Sequence, residues 1–371
     1  MHPYWRLTRL IATAVLAVVP LAAAAQVTTE QSASIIVFPK VVADGTWDTV
    51  IQVVNQSGNQ RHARCFYVNG SPPAPSQPVG PLNPAQWALI DFNLALTPVQ
   101  PTHWVASRGR LNDQTDRTCS LDAPPYCDGA GLNPGAVPAL PPGFRGELLC
   151  IEVDAGGFPV PGNALIGQAT LQDVVTGDVA KYNAIGLHGE DTNNEDPVLC
   201  LGDSGSASCP SGAEYTPCPD TWILSHLADG TPDPLGGAGS AVATAITVVP
   251  CALDLANQRP GSATLQFTLT NELEQTFSAA TTVTCWANIP LASISPVFNR
   301  DTLGGEFVQT RIHAAAGHPG GFMVVAETVR TASGAGSPAS SSMVNLQVEG
   351  TQFGSDVITL PPPQLQSGAL R

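Results

Sequence analysis

The stretch ALIGQATLQDVVTGDVAKYNAI, residues 164–185, decides the fold class. Apolar and polar side chains alternate on either side of Thr176-Gly177-Asp178, a turn sequence, so it reads as a β-hairpin. Working outward, short β-branched runs punctuated by Gly, Pro, Asn or Asp recur at Ser34 to Val42, Thr49 to Val54, Ala63 to Val68, Gln86 to Phe92 and Glu147 to Val153. No amphipathic helix longer than about two turns is found. The chain therefore reads as all-β.

Composition agrees. Of 371 residues, 35 are Gly and 34 Pro, and only 12% are charged, against roughly a quarter in ordinary domains, which argues against a helix bundle or coiled coil. A hydrophobic content of 43% supports a packed core and excludes global disorder. The length allows about two domains. With 15 basic and 30 acidic residues the formal charge is -15, and Lys40 and Lys181 are the only lysines. A nucleic-acid partner is excluded on that ground, because it needs a basic surface to displace counterions.

The first 25 residues read as an export signal. Arg6 and Arg9 give a positive start, Leu10 to Leu21 an apolar middle, and Ala23-Ala24-Ala25 a small-residue site with cleavage between Ala25 and Gln26. Loss of the two arginines takes the mature charge to -17. The most apolar later stretch, Ala241 to Leu253, is interrupted by Pro250 and too short to span a bilayer, so it reads as a buried strand. No membrane span is expected in the mature chain, and its destination is periplasmic or extracellular.

Nine cysteines in an exported chain point to disulfides. Cys119 with Cys127, two of Cys200, Cys209 and Cys218, and Cys251 with Cys285 are the candidate pairs, and the odd count leaves at least one thiol without an internal partner.

Four anchor points recur in order. Ile51-Gln52-Val53 answers to Leu265-Gln266-Phe267, and Cys65-Phe66 to Cys285-Trp286. Trp104 to Arg108 answers to Phe307 to Arg311, and Pro142-Gly143-Phe144 leading to Glu152 answers to Pro319 to Phe322 leading to Glu327. They suggest an internal duplication and two tandem antiparallel immunoglobulin-like β-sandwich domains. The first would span 26–230, with an inserted disulfide loop at about 109–142 and a Cys-rich loop at 186–219. A linker at 231–239, a second sandwich at 240–360 and a disordered tail at 361–371 would follow.

Candidate chemistry is sparse. Cys200-Leu201-Gly202-Asp203-Ser204-Gly205-Ser206 resembles the nucleophile segment of chymotrypsin-like serine proteases, but Ser206 replaces the last glycine and no companion histidine motif is present. His62 and His103 precede Ser204 within the strand framework. The acidic run Glu190 to Asp196 offers oxygen ligands for Ca²⁺ at Asp191, Asn193 and Asp196 without matching an EF-hand loop. His62 and Cys65 have no second pair at zinc spacing. Trp47, Trp87, Trp104, Trp222 and Trp286 sit in strand-like patterns, which places them in a core rather than on a sugar-binding platform. Glu152 and Glu327 are single carboxylates of separate copies, not an acid/base pair.

The segments Ile36 to Val42, Asp48 to Gln52, Cys65 to Asn69, Gln100 to Val105 and Asp178 to Ile185 resemble a set of exported bacterial proteins of unknown function. The resemblance implies export and a β-rich fold, and brings no activity, cofactor or catalytic residue. The expectation is a non-enzymatic structural or interaction module whose partner is a protein or a surface glycan. An exported serine hydrolase using Ser204 and a Ca²⁺-dependent carbohydrate or surface binder are the alternatives.

Overall fold

The computed structural model describes residues 27–71, 86–110, 135–190, 196–202, 209, 212–234, 236, 239–315, 320–331, 340–349 and 355–363. In chain order the first strands are β1 (Ile35–Ala43), β2 (Trp47–Asn55), β3 (Arg61–Asn69), β4 (Ala88–Leu96), β5 (Pro101–Val105) and β6 (Phe144–Val153). They are followed by β7 (Leu165–Asp173), β8 (Val179–Asn183), β9 (Ile185–Leu187), β10 (Val198–Leu201) and β11 (Thr221–Leu227). The next set is β12 (Ala241–Pro250), β13 (Leu253–Asp254), β14 (Ser262–Asn271), β15 (Thr276–Thr284) and β16 (Ala287–Pro290). After two single-turn helices, Leu291–Ile294 and Arg300–Leu303, come β17 (Phe307–Ala314), β18 (Phe322–Thr331), β19 (Ser340–Asn345), β20 (Gln347–Val348) and β21 (Asp356–Thr359).

The hairpin at 164–185 forms as read: β7 and β8 pair antiparallel from Gln168 opposite Asn183 to Gln172 opposite Val179. Strand content of 59% against 4% helix makes the chain all-β. The strands form five sheets, ordered β4-β3-β6-β1-β9, β5-β2-β7-β8, β10-β21-β13, β15-β14-β17-β11-β20 and β16-β12-β18-β19. These small sheets are arranged as a five-bladed β-propeller, which overturns the expected pair of tandem immunoglobulin-like β-sandwiches. The blades are not sequential meanders, because every sheet has neighbours that are distant in sequence.

The pairings show why the sandwich reading fails. β11, placed at the end of the first unit, pairs along its whole length with β17. A three-stranded sheet joins β10 and β21 with the short β13. One continuous hydrophobic cluster contains Phe38, Phe66 and Leu149 as well as Trp222, Phe267 and Phe322.

The duplication of immunoglobulin domains is corrected with it. Cys65 sits within β3, directly opposite Cys150 of β6 and bonded to it. Its counterpart Cys285 lies between β15 and β16 at a φ of 72° and carries no bond. β2 is flanked by β5 and the far downstream β7, whereas β14 lies between its own hairpin partner β15 and β17. The repeated residues reflect similar local strand chemistry, not equivalent places in two copies.

Among the described tryptophans, Trp87, Trp104, Trp222 and Trp286 are buried, and Trp47 is half-buried. β1 is buried along both faces, which marks it as central. Its register against β6 shifts between Phe38 and Val41, where Pro39 cannot donate to the ladder. Three hydrogen bonds from two side chains satisfy the bulge. Tyr182 Oη accepts from Lys40 N at 3.0 Å and donates to Lys40 O at 2.7 Å, and Trp286 Nε1 donates to Pro39 O at 2.7 Å. Gly70 leaves room for that indole, since a Cβ there would fall 2.7 Å from Trp286 Cβ.

Lys40 Nζ then reaches Glu327 Oε2 on β18 at 2.5 Å, with both side chains largely out of water. Removing one partner of such a pair strands the other charge. Lys40→Met is expected to cost about 3 kcal/mol in urea unfolding, and adding Glu327→Leu is expected to recover part of it. An equal loss in the single and double variants would contradict a pair whose broken half carries the cost.

Candidate functional site

Among the described residues, a grouping of three potentially metal-ligating side chains lies where β12 runs into β13, beside β11 and β21. Cys218, Cys251 and Asp356 bring two sulfurs and a carboxylate oxygen within 4.8 Å of one another, and all three are buried. Gly321 is the hinge of this arrangement. Its N–H donates to Asp356 Oδ2 at 2.8 Å, and its carbonyl accepts from Cys251 N at 3.0 Å. A Cβ at Gly321 would lie 2.7 Å from Cys218 Cβ, so only glycine lets the three residues close.

Cys218 and Cys251 are bonded to each other, with Cα atoms 6.4 Å apart. This corrects the expected Cys251–Cys285 pairing, since Cys285 is a free, buried thiol. Asp356 Oδ1 has no hydrogen-bond partner. Burial pushes the Asp356 carboxyl up to about 6, against the lowering effect of the Gly321 N–H.

Next to the cluster lies a cavity of about 10 Å³, lined by Glu147, Cys251, Val249, Met323, Ile358 and other apolar side chains. Both oxygens of Glu147 are buried without a partner. Burial alone pushes this carboxyl up to about 8. The Cys285 thiol is raised by its own burial and then by Glu147. Such a thiol is a poor nucleophile, because little of it ionises.

The remaining sequence candidates are scattered. Cys200 bonds to Cys209. Cys119 and Cys127, Ser204, Asp191 and Asn193, and the Ala25–Gln26 cleavage point lie outside the described residues. Asp196 Oδ1 accepts from Val198 N at 2.7 Å, which makes it a turn residue. His62 is half-buried on β3 and His103 is exposed on β5. Glu152 accepts from Ala164 N and pairs with Arg61, while Glu327 pairs with Lys40, so the two carboxylates hold separate parts of the framework.

Other buried polar groups also serve the framework. Arg64 clasps Asp91 and donates to the carbonyls of Pro361 and Pro362 at 2.7 and 3.1 Å. These contacts hold residues 361–362, the start of the expected tail; residues 364–371 lie outside the described set. His226 is held neutral between Leu227 O and Thr310 Oγ1, its pKa pushed down to about 4 by burial.

Sequence reasoning missed Glu147, Asp356 and the Cys218–Cys251 pairing. Glu147 had a signal, a carboxylate inside the apolar run Gly146 to Ile151. Asp356 had none, because its place depends on the pairing of β21 with β10 and β13.

Comparison with known proteins gives no match, either to a protein-family model or to a curated sequence. No helix among the described residues is long and apolar enough to cross a membrane. The β-rich, disulfide-tied fold is compatible with an exported structural or binding module.

Proposed function

We propose that this is an exported, non-enzymatic β-protein that acts as a structural or interaction module at the cell surface or in the periplasm. The observation that carries the reading is where the polar groups go. Lys40 of β1 with Glu327 of β18, Arg64 of β3 with the Pro361 and Pro362 carbonyls, and His226 of β11 with Thr310 of β17 each join segments far apart in sequence, so these polar groups are spent on the framework. A rigid scaffold of this kind suits presentation of surface loops and sheet faces to a partner.

One such face is the outer side of β14 and β15, an uncharged array of Ser262, Thr264, Thr268, Ser278, Thr282 and Thr284. A hydroxyl array of this type fits a polar, uncharged partner such as a glycan.

Fractionation of the native host with N-terminal sequencing tests the export part. The expected product begins at Gln26 and is absent from the cytoplasm. Recovery from the cytoplasm with Met1 intact contradicts export, and labelling of Ser204 by a fluorophosphonate probe in the folded protein contradicts the non-enzymatic reading.

A further inference from the structure

We propose that Cys218, Cys251 and Asp356 form a binding site for a soft divalent ion of the zinc class, available when the Cys218–Cys251 bond is reduced. Three observations point to it. The ligand atoms already lie within 4.8 Å of one another. Asp356 is 2% exposed, and its Oδ1 is left without a partner in the bonded state. Gly321 fixes the carboxylate through Oδ2 and the Cys251 backbone through its carbonyl, so Oδ1 is the atom free to ligate.

Two thiolates and one carboxylate are a donor set that favours zinc over the hard ions Ca²⁺ and Mg²⁺. Three protein ligands leave one tetrahedral position. The adjoining cavity of about 10 Å³, which Cys251 lines, is at the lower limit for a single water.

The chemistry balances with an external dithiol as reductant. The dithiol transfers two electrons and two protons to the Cys218–Cys251 bond, giving two thiols and leaving as its own disulfide. The ion then displaces the two thiol protons, which are released to solvent. Disulfide and metal thus exclude one another. The bonded state leaves Asp356 Oδ1 unsatisfied and the metal-bound state gives it a partner, a compensation that an isolated disulfide lacks.

The test is Co²⁺ titration of the full chain, reduced with a dithiol that is then removed under anaerobic conditions, with alkylation mass spectrometry confirming that Cys218 and Cys251 are thiols. The expected result is one equivalent of Co²⁺ with thiolate-to-cobalt charge transfer and the intense d–d bands of a tetrahedral site, displaced by Zn²⁺. Asp356→Asn keeps the size of the side chain and is expected to weaken Co²⁺ binding by about ten-fold or more. Cys218→Ser with Cys251→Ser should remove the charge-transfer band, and Cys200→Ser with Cys209→Ser should leave it unchanged. Absence of the bands with both thiols free overturns the proposal, as does their persistence in the Cys218→Ser, Cys251→Ser variant. If that variant does not fold, equal Co²⁺ affinity in wild type and Asp356→Asn overturns it instead.

Discussion

Replacing both Cys65 and Cys150 with alanine is expected to cost about 4.5 kcal/mol, the largest loss from any single cross-link among the described residues. The two cysteines face each other across adjacent strands β3 and β6, are buried, and lie 85 positions apart in sequence. Closing so long a loop removes much of the freedom of the unfolded chain. The bond between Cys200 and Cys209 closes only nine positions, and its removal is expected to cost about 2.5 kcal/mol on the same chain-entropy relation. Urea unfolding of the two double variants measures both values. A Cys65/Cys150 loss no greater than that for Cys200/Cys209 would show that loop length does not set the contribution here.

The second large effect concerns pH. Glu147 has a folded pKa of about 8 against 4.5 for the free side chain, caused by burial. Below 4.5 the carboxyl is neutral in both states and carries no ionisation penalty. As pH rises from 4.5 to 8 the unfolded chain releases its proton first, so stability falls through that window and then levels off. The full fall is on the order of 4 to 5 kcal/mol. Glu147→Gln removes it, so the variant should be nearly as stable as wild type at pH 4 and clearly more stable at pH 8.5.

Cys285 is the titratable neighbour, and its thiol stays protonated throughout this range because burial and Glu147 both raise it. Asp356 and His226 titrate in both proteins and cancel in the difference. Unfolding curves across the range, with the disulfides intact, provide the measurement. A stability difference that does not change with pH would mean that water reaches Glu147 in the folded state.

Strand chemistry was readable from the sequence because alternation leaves a local mark. The hairpin of β7 and β8 falls within a residue or two of where alternation placed it, and the edges of β1, Ile35 and Ala43, lie within one residue of a run recognised by its β-branched composition. Sheet membership left no such mark. Alternation tells which side of a strand faces a core, not which strand lies beside it, and β1, buried on both sides, does not alternate at all. β10 falls in a segment read as loop, since its four residues are too few to establish a period. The site was hidden for the same reason. Cys218, Cys251 and Asp356 come together only after β13, β21 and β11 have found their partners, and cysteine spacing carries no information about that.

The clasp of Arg64 on the Pro361 and Pro362 carbonyls joins residues nearly 300 positions apart, and β21 must slot between β10 and β13. Synthesis delivers Arg64 long before its acceptors. The first sheets are therefore left with an open seam until residues 356–362 have been made. A nascent chain of this protein spends most of its translation without its closing strand, so its last-made residues complete the native seam.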